Sequence, residues 1–134
     1  MKTKKILILL LVFAGLSFTN AFAGGKIKIT FKYKFAHIVS GYDHNSRMKV
    51  YIDGSLAGTS KEGLESKANK LTVSTTKGFH SIKAVMETEY QGSWEEHTIA
   101  NEYSIDCLYE KAMDFAKNLN ITLTFDIDSG TIVK

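Results

Sequence analysis

The sequence predicts an all-β protein, an antiparallel β-sandwich, on three observations. Apolar and polar residues alternate over whole segments, most plainly in KIKITFKYKFA (Lys26 to Ala36) and ITLTFDID (Ile121 to Asp128), and a period of two marks strands with one buried face. Turn residues separate these segments, among them Asp53-Gly54, Lys77-Gly78 and the Gly-Ser pair before Trp94, where Gly accepts the positive φ that tight turns need. The chain contains no Pro and one Cys, so it has no internal disulfide and its stability must come from buried apolar faces.

The first segment reads as a secretory leader. MKTKK is basic, Ile6 to Phe18 is an apolar run, and Ala21-Phe22-Ala23 places small residues around a cleavage point before Gly24. The run is shorter than the roughly 20 residues that span a bilayer, and no later run approaches that length. The expected product is exported, periplasmic or extracellular, with residues 1–23 as signal peptide, 24–134 as one sandwich domain and no membrane span. Cys107 lies far from the cleavage point, which excludes lipid anchoring through a cysteine there. It reads as a small buried apolar residue, with an intermolecular disulfide as the alternative.

The leader takes Lys2, Lys4 and Lys5 with it. Of 17 basic and 14 acidic residues, equal numbers then remain, and a neutral domain gives little reason to expect nucleic-acid binding, which needs a concentrated basic surface.

The strands follow in order. Lys26 to Ala36 puts Ile27, Ile29, Phe31, Tyr33 and Phe35 on one face, and Lys26, Lys28, Thr30, Lys32 and Lys34 on the other. After a polar connection, Met48, Val50 and Ile52 share a face of a second strand; Asp53-Gly54 turns the chain, and Leu56 to Thr59 returns. Ser60 to Asn69 reads as a polar loop. KLTVSTT directs Leu71 and Val73 inward, and HSIKAVMETEY is a long strand with Ile82, Ala84 and Met86 in phase. Glu89 to Trp94 turns again, Thr98 to Ile105 reads as a further strand, and Ile121, Leu123, Phe125 and Ile127 face inward from the last. CLYEKAMDFAKNLN, from Cys107, fits two patterns. Leu108, Ala112, Phe115 and Leu119 fall at helical spacing, which allows one short helix near 107–118. The favoured reading is a strand that turns at Asn118-Leu119-Asn120 and shields the edge of the Ile121 strand as a hairpin.

VYIDGSLAGTS followed by KLTVSTTKGFHSIKAV resembles the PEGA-like family of small bacterial β-sandwich domains. The resemblance rests on Val50, Ile52, Asp53, Gly54, Gly58, Gly78, His80 and Ile82, within Val50 to Val85. Family members usually carry a Pro soon after the second Gly, where this chain has Ser60-Lys61. The resemblance implies a transthyretin-like sandwich serving as a non-enzymatic accessory or surface module, and it supplies no catalytic residues.

Candidate sites are few. Tyr90, Trp94 and Tyr103 flank the Gly-Ser turn and Tyr42 sits beside Asp43, His44 and Asn45. Such rings with polar neighbours suit a carbohydrate surface, although Trp94 also suits a plug at one end of the sandwich. Asp126 and Asp128 fall on one strand face and suit weak metal binding, but Gly130 and Thr131 stand where a calcium loop needs a ligand and a Gly. Glu95 and His97 share a strand face, yet no nucleophile motif accompanies them. The lysines of the first strand suit an anionic polymer, a plain solvent face, or protection of an edge strand, with the seven carboxylates between Met86 and Glu110 as neutralising neighbours. The expected function is a secreted binding or structural module at the cell envelope, with no catalytic residues and no cofactor, whose partner is a protein or glycan. A carbohydrate-binding domain is the alternative and an enzyme the third.

Overall fold

The computed structural model describes residues 25–134, so the leader expected over 1–23 lies outside the described residues. Ten strands follow one another: β1 (Lys26–Ala36), β2 (Asn45–Ile52), β3 (Ser55–Thr59), β4 (Gly63–Leu64), β5 (Asn69–Thr76), β6 (Gly78–Tyr90), β7 (Ser93–Glu96), β8 (Leu108–Phe115), β9 (Leu119–Asp126) and β10 (Gly130–Val133). A single 3₁₀ turn, Ile99–Asn101, interrupts them. The all-β class holds.

Two sheets form the sandwich. The first has the order β10-β9-β1-β5; the second has β3-β2-β6-β7, with β4 also on β2 and β8 also on β6. All pairings are antiparallel except β1 with β9, which run parallel from Ile29 opposite Leu119 to Ala36 opposite Asp126. The far side of β6 is shared. β8 occupies it from Gly78 to Val85 and β7 from Glu87 to Tyr90, and the changeover is knitted by three backbone bonds, Met86 N to Cys107 O, His97 N to Met86 O and Cys107 N to His97 O.

Alternation fixes the core. Ile27, Ile29, Phe31, Tyr33 and Phe35 of β1 are buried against Met48, Val50, Ile82, Ala84 and Met86 of the second sheet, with Ile121, Leu123 and Phe125 of β9 beside them. Burial of each such Leu, Ile, Phe or Met side chain contributes roughly 1.5–3 kcal/mol. Gly58 lets β3 close over β5, because a Cβ there would stand 2.9 Å from Val73 Cγ1. Both two-residue turns, Asp53-Gly54 and Gln91-Gly92, have positive φ at each residue, the mirror-image geometry that matches strand twist. Cys107 is fully buried and free, and burial together with the nearby Glu65 charge pushes its thiol pKa up, so it packs as a small apolar residue and is inaccessible to an intermolecular disulfide.

Three expectations are corrected. The segment after Cys107 is a strand and not a helix, but it makes no hairpin with the next: β8 pairs β6, whereas β9 lies in the other sheet between β1 and β10. The crossing is tied by Asn118, whose Oδ1 accepts the Lys28 N–H at 2.8 Å. Thr98 to Ile105 is no strand. Polar side chains in and just after it bond the backbone instead, Asn101 Nδ2 to Glu96 O and Ile99 N to Asp106 Oδ1, both at 2.8 Å, and Glu102 adopts a left-handed φ of 69°, so the segment closes into a loop. Finally, β1 is an inner strand, so its lysines guard no edge.

Candidate functional site

The loop that replaces the expected strand forms one wall of a cavity at an open end of the sandwich. The cavity measures about 550 Å³. Ile38, beyond the end of β1, and Ile127, beyond the end of β9, supply its apolar floor, while Tyr90, Glu95 and His97 come from the β6–β7 side and Tyr103 from the loop.

Two of its lining residues, Glu65 and His97, form a buried polar cluster with Thr88 behind them. The Thr88 hydroxyl donates to Glu65 Oε1 at 2.9 Å, so the contact of His97 Nδ1 with Thr88 Oγ1 at 3.0 Å requires the proton on Nδ1, which also faces Glu65 Oε1 at 3.3 Å. His97 Nε2 is buried without a hydrogen-bond partner. The imidazole stacks on Tyr103 at 4.2 Å between centroids and meets Phe35 at 5.4 Å. Tyr103 donates its hydroxyl to Glu95 Oε1 at 2.6 Å; burial, then this bond to a carboxylate, raises its pKa.

The outer wall is held by the β1–β2 connection. Asp43 accepts the Ser66 N–H at 2.9 Å and the Ser66 hydroxyl at 2.6 Å, and Glu65 N donates to His44 O at 3.0 Å. The Ser66 hydroxyl bond lowers the Asp43 pKa. Across this clamp Tyr42, His44 and Tyr90 meet edge to face, with centroids 6.2 and 6.0 Å apart. Tyr42 and Tyr90 are exposed.

Of the four aromatic residues singled out from the sequence, Tyr42, Tyr90 and Tyr103 therefore converge. Trp94 does not. It lies on the outer face of the second sheet, opposite Glu89 on β6, where the Arg47 guanidinium sits 4.1 Å from its ring. Arg47 in turn bonds Glu87 at 2.6 Å, and Lys49 bonds the same carboxylate at 2.9 Å. Trp94 is thus neither the plug of an end nor part of the cavity. Glu65, the most buried carboxylate here, was not singled out; it stands in what reads as a polar loop, and its sequence neighbours give no sign of burial.

Asp126 and Asp128 do come together, joined by His37, whose left-handed φ of 59° turns it toward them. The three ligand atoms lie within 4.8 Å of one another. His37 Nδ1 is 2.8 Å from Asp126 Oδ1, which also accepts the Asp128 N–H at 2.9 Å. The His37 bond, aided by that N–H, lowers Asp126 to about 2, while Asp126 raises His37. The parallel pairing of Ala36 with Asp126 creates this cluster, and a single sequence does not disclose that pairing. A His–Asp ion pair with a backbone-capped turn accounts for the geometry.

Comparison with protein-family models, with curated proteins and with solved structures finds no match.

Proposed function

We propose that the protein is an exported, non-catalytic binding module of the cell envelope, and that it holds a small saccharide in the cavity at the end of the sandwich. The observation that carries this reading is the convergence of Tyr42, Tyr90 and Tyr103 with Glu65, Glu95 and Asn101 around one space of about 550 Å³. Ring faces offer apolar area for the C–H face of a pyranose, and carboxylate and amide groups offer partners for its hydroxyls. The volume lies within the roughly 300–1,000 Å³ of ordinary ligand cavities.

A binding role fits the cavity better than catalysis. His97 Nε2 is closed off from solvent, so the histidine presents no base to a ligand, and Glu95 already accepts the Tyr103 hydroxyl at one oxygen. The leader-like pattern of the first 23 residues supports export. The resemblance to PEGA-like domains supports an accessory role and contributes no residue to the cavity.

Calorimetric titration of the folded chain with a panel of neutral mono- and oligosaccharides tests the reading. At least one saccharide should bind, the exposed Tyr90→Ala change should weaken it by about tenfold or more, and Trp94→Ala should leave it unchanged. A panel without a ligand, or equal losses in the two variants, would refute the saccharide assignment.

A further inference from the structure

The outer face of the first sheet has an uncommon charge pattern. Lys26, Lys28, Lys32 and Lys34 project from β1 and Lys70 from β5, all exposed. None of these five takes part in an ion pair among the described residues. Between them stand only hydroxyl and amide side chains. Thr30 and Thr72 share a hydrogen bond of 2.9 Å, Ser74 lies opposite Lys28, and Asn120 and Thr122 lie opposite Thr30 and Lys32 on β9. The first carboxylate on the face is Asp126, opposite Ala36 at its far end and bonded to His37.

Two ordinary explanations for such lysines fail here. A positive row protects an edge strand from pairing, but β1, which carries four of the five lysines, has a neighbour on each side, and only Lys70 stands on an edge strand. A row can also be neutralised by adjacent acidic strands, but the carboxylates between Met86 and Glu110 belong to the opposite sheet and its loops. Lys32 is moreover directly opposite Lys70, and like charges in register destabilise a sheet. The domain thus carries equal numbers of basic and acidic residues from 25 to 134 and still concentrates positive charge on one flat face.

We propose that this face is a docking surface for a linear anionic polysaccharide. Lys26 to Lys34 forms a straight row of about 27 Å at roughly 3.3 Å per residue, with neighbouring lysines of each pair about 7 Å apart. That matches an extended polymer with regularly spaced carboxylate, sulfate or phosphate groups, and the interleaved hydroxyls suit its sugar oxygens. The lysine row contains no aromatic ring on which a nucleic-acid base could stack. It contains no apolar side chain to enter a bilayer; exposed Ile132 stands only at the margin, on β10. The surface is separate from the tyrosine-lined cavity, and the proposal stands whether or not a saccharide binds there.

The test measures binding of the folded chain to three probes: polygalacturonate, vesicles of phosphatidylcholine with phosphatidylserine, and a single-stranded DNA oligonucleotide. Polygalacturonate should bind most tightly, and binding should weaken steadily with added salt. The variant K28Q/K32Q/K34Q should bind it at least about tenfold more weakly, whereas K61Q/K67Q/K111Q, which removes the same charge elsewhere, should change it by less than about twofold. Arg at positions 28, 32 and 34 should retain binding. Equal losses in the two Gln variants, no binding of polygalacturonate, or tighter binding of vesicles or DNA would overturn the proposal.

Discussion

Asp53 and His80, distant in sequence, share a 2.6 Å hydrogen bond between a carboxylate oxygen and Nδ1. The other oxygen of Asp53 accepts the Ser81 N–H at 2.9 Å, and His80 Nε2 donates to Thr76 O at 2.9 Å. Both ring nitrogens therefore face acceptors, an arrangement that only the doubly protonated ring fulfils. The contact ties the β2–β3 turn to the start of β6.

A pH dependence follows. The bond to Asp53 raises His80 above its ordinary 6.5, and the bond to His80 lowers Asp53 below its ordinary 3.8. The histidine's contribution is complete below 6.5 and is lost as pH rises through its raised value. The aspartate's is complete above 3.8 and is lost as pH falls through its lowered value. The pair stabilises most between those ordinary values. Thermal melts of wild type and His80→Gln should differ most near pH ~5 and converge as pH rises through the raised His80 pKa. A gap that widens with pH would show that the imidazolium is not the stabilising form.

Ser60 organises the return from β3. Its hydroxyl accepts from Tyr33 at 2.7 Å and from Met48 N at 2.8 Å, and donates to Lys61 O at 2.9 Å. Ser60→Ala strands two buried donors, and the expected loss is about 2–4 kcal/mol in denaturant unfolding. Ser60→Pro should be worse, since the Ser60 N–H also donates to Met48 O at 2.8 Å. Tyr33→Phe removes one donor together with its partner's bond and should lose less than Ser60→Ala.

Gly58 serves close approach. The Val73 Cγ1 that a new Cβ would meet at 2.9 Å belongs to a short, stiff, buried side chain. Gly58→Ala is expected to destabilise by about 1–2 kcal/mol through overpacking. In the background of Val73→Ala the same change should become neutral or stabilising, and unfolding of the four chains of this double-mutant cycle measures the coupling.

The elements legible in the sequence were those specified locally. The alternation of β1 and the turns at Asp53-Gly54 and Gln91-Gly92 depend on neighbours within a few residues and stand where periodicity and turn chemistry put them, whereas β9 keeps its inward face but runs from Leu119 to Asp126, two residues earlier than its alternation predicts. Thr98 to Ile105 has strand-like residues, but side chains of Asn101 and Asp106 bond the backbone and outcompete a ladder. β8 read correctly as extended, yet its partner did not, because pairing is set by contacts across the whole chain. Site legibility divides the same way. Tyr42, Tyr90 and Tyr103 were recognisable as aromatics near polar groups, whereas the burial of Glu65 depends on the backbone bond from its N–H to His44 O and on its Thr88 and His97 contacts. The alternation that sets Glu95 and His97 on one face already sends Trp94 to the other.

The Glu65–Thr88–His97 cluster makes the sharpest prediction about the cavity wall. Glu65→Ala removes the acceptor of the Thr88 hydroxyl and a neighbour of His97 Nδ1, both buried, and is expected to lose about 2–4 kcal/mol. His97→Ala also removes the ring held between Tyr103 and Phe35, and should lose about 3 kcal/mol or more. The triple change Glu65→Leu, Thr88→Val and His97→Phe replaces the whole polar cluster by apolar groups of similar size and leaves no buried hydroxyl without a partner, and such exchanges are often close to neutral. Denaturant unfolding should therefore find this variant more stable than Glu65→Ala alone. If it is instead the less stable of the two, the cluster is a net source of stability. If it is more stable as expected but loses saccharide binding, the wall is maintained for its ligand at the expense of the fold.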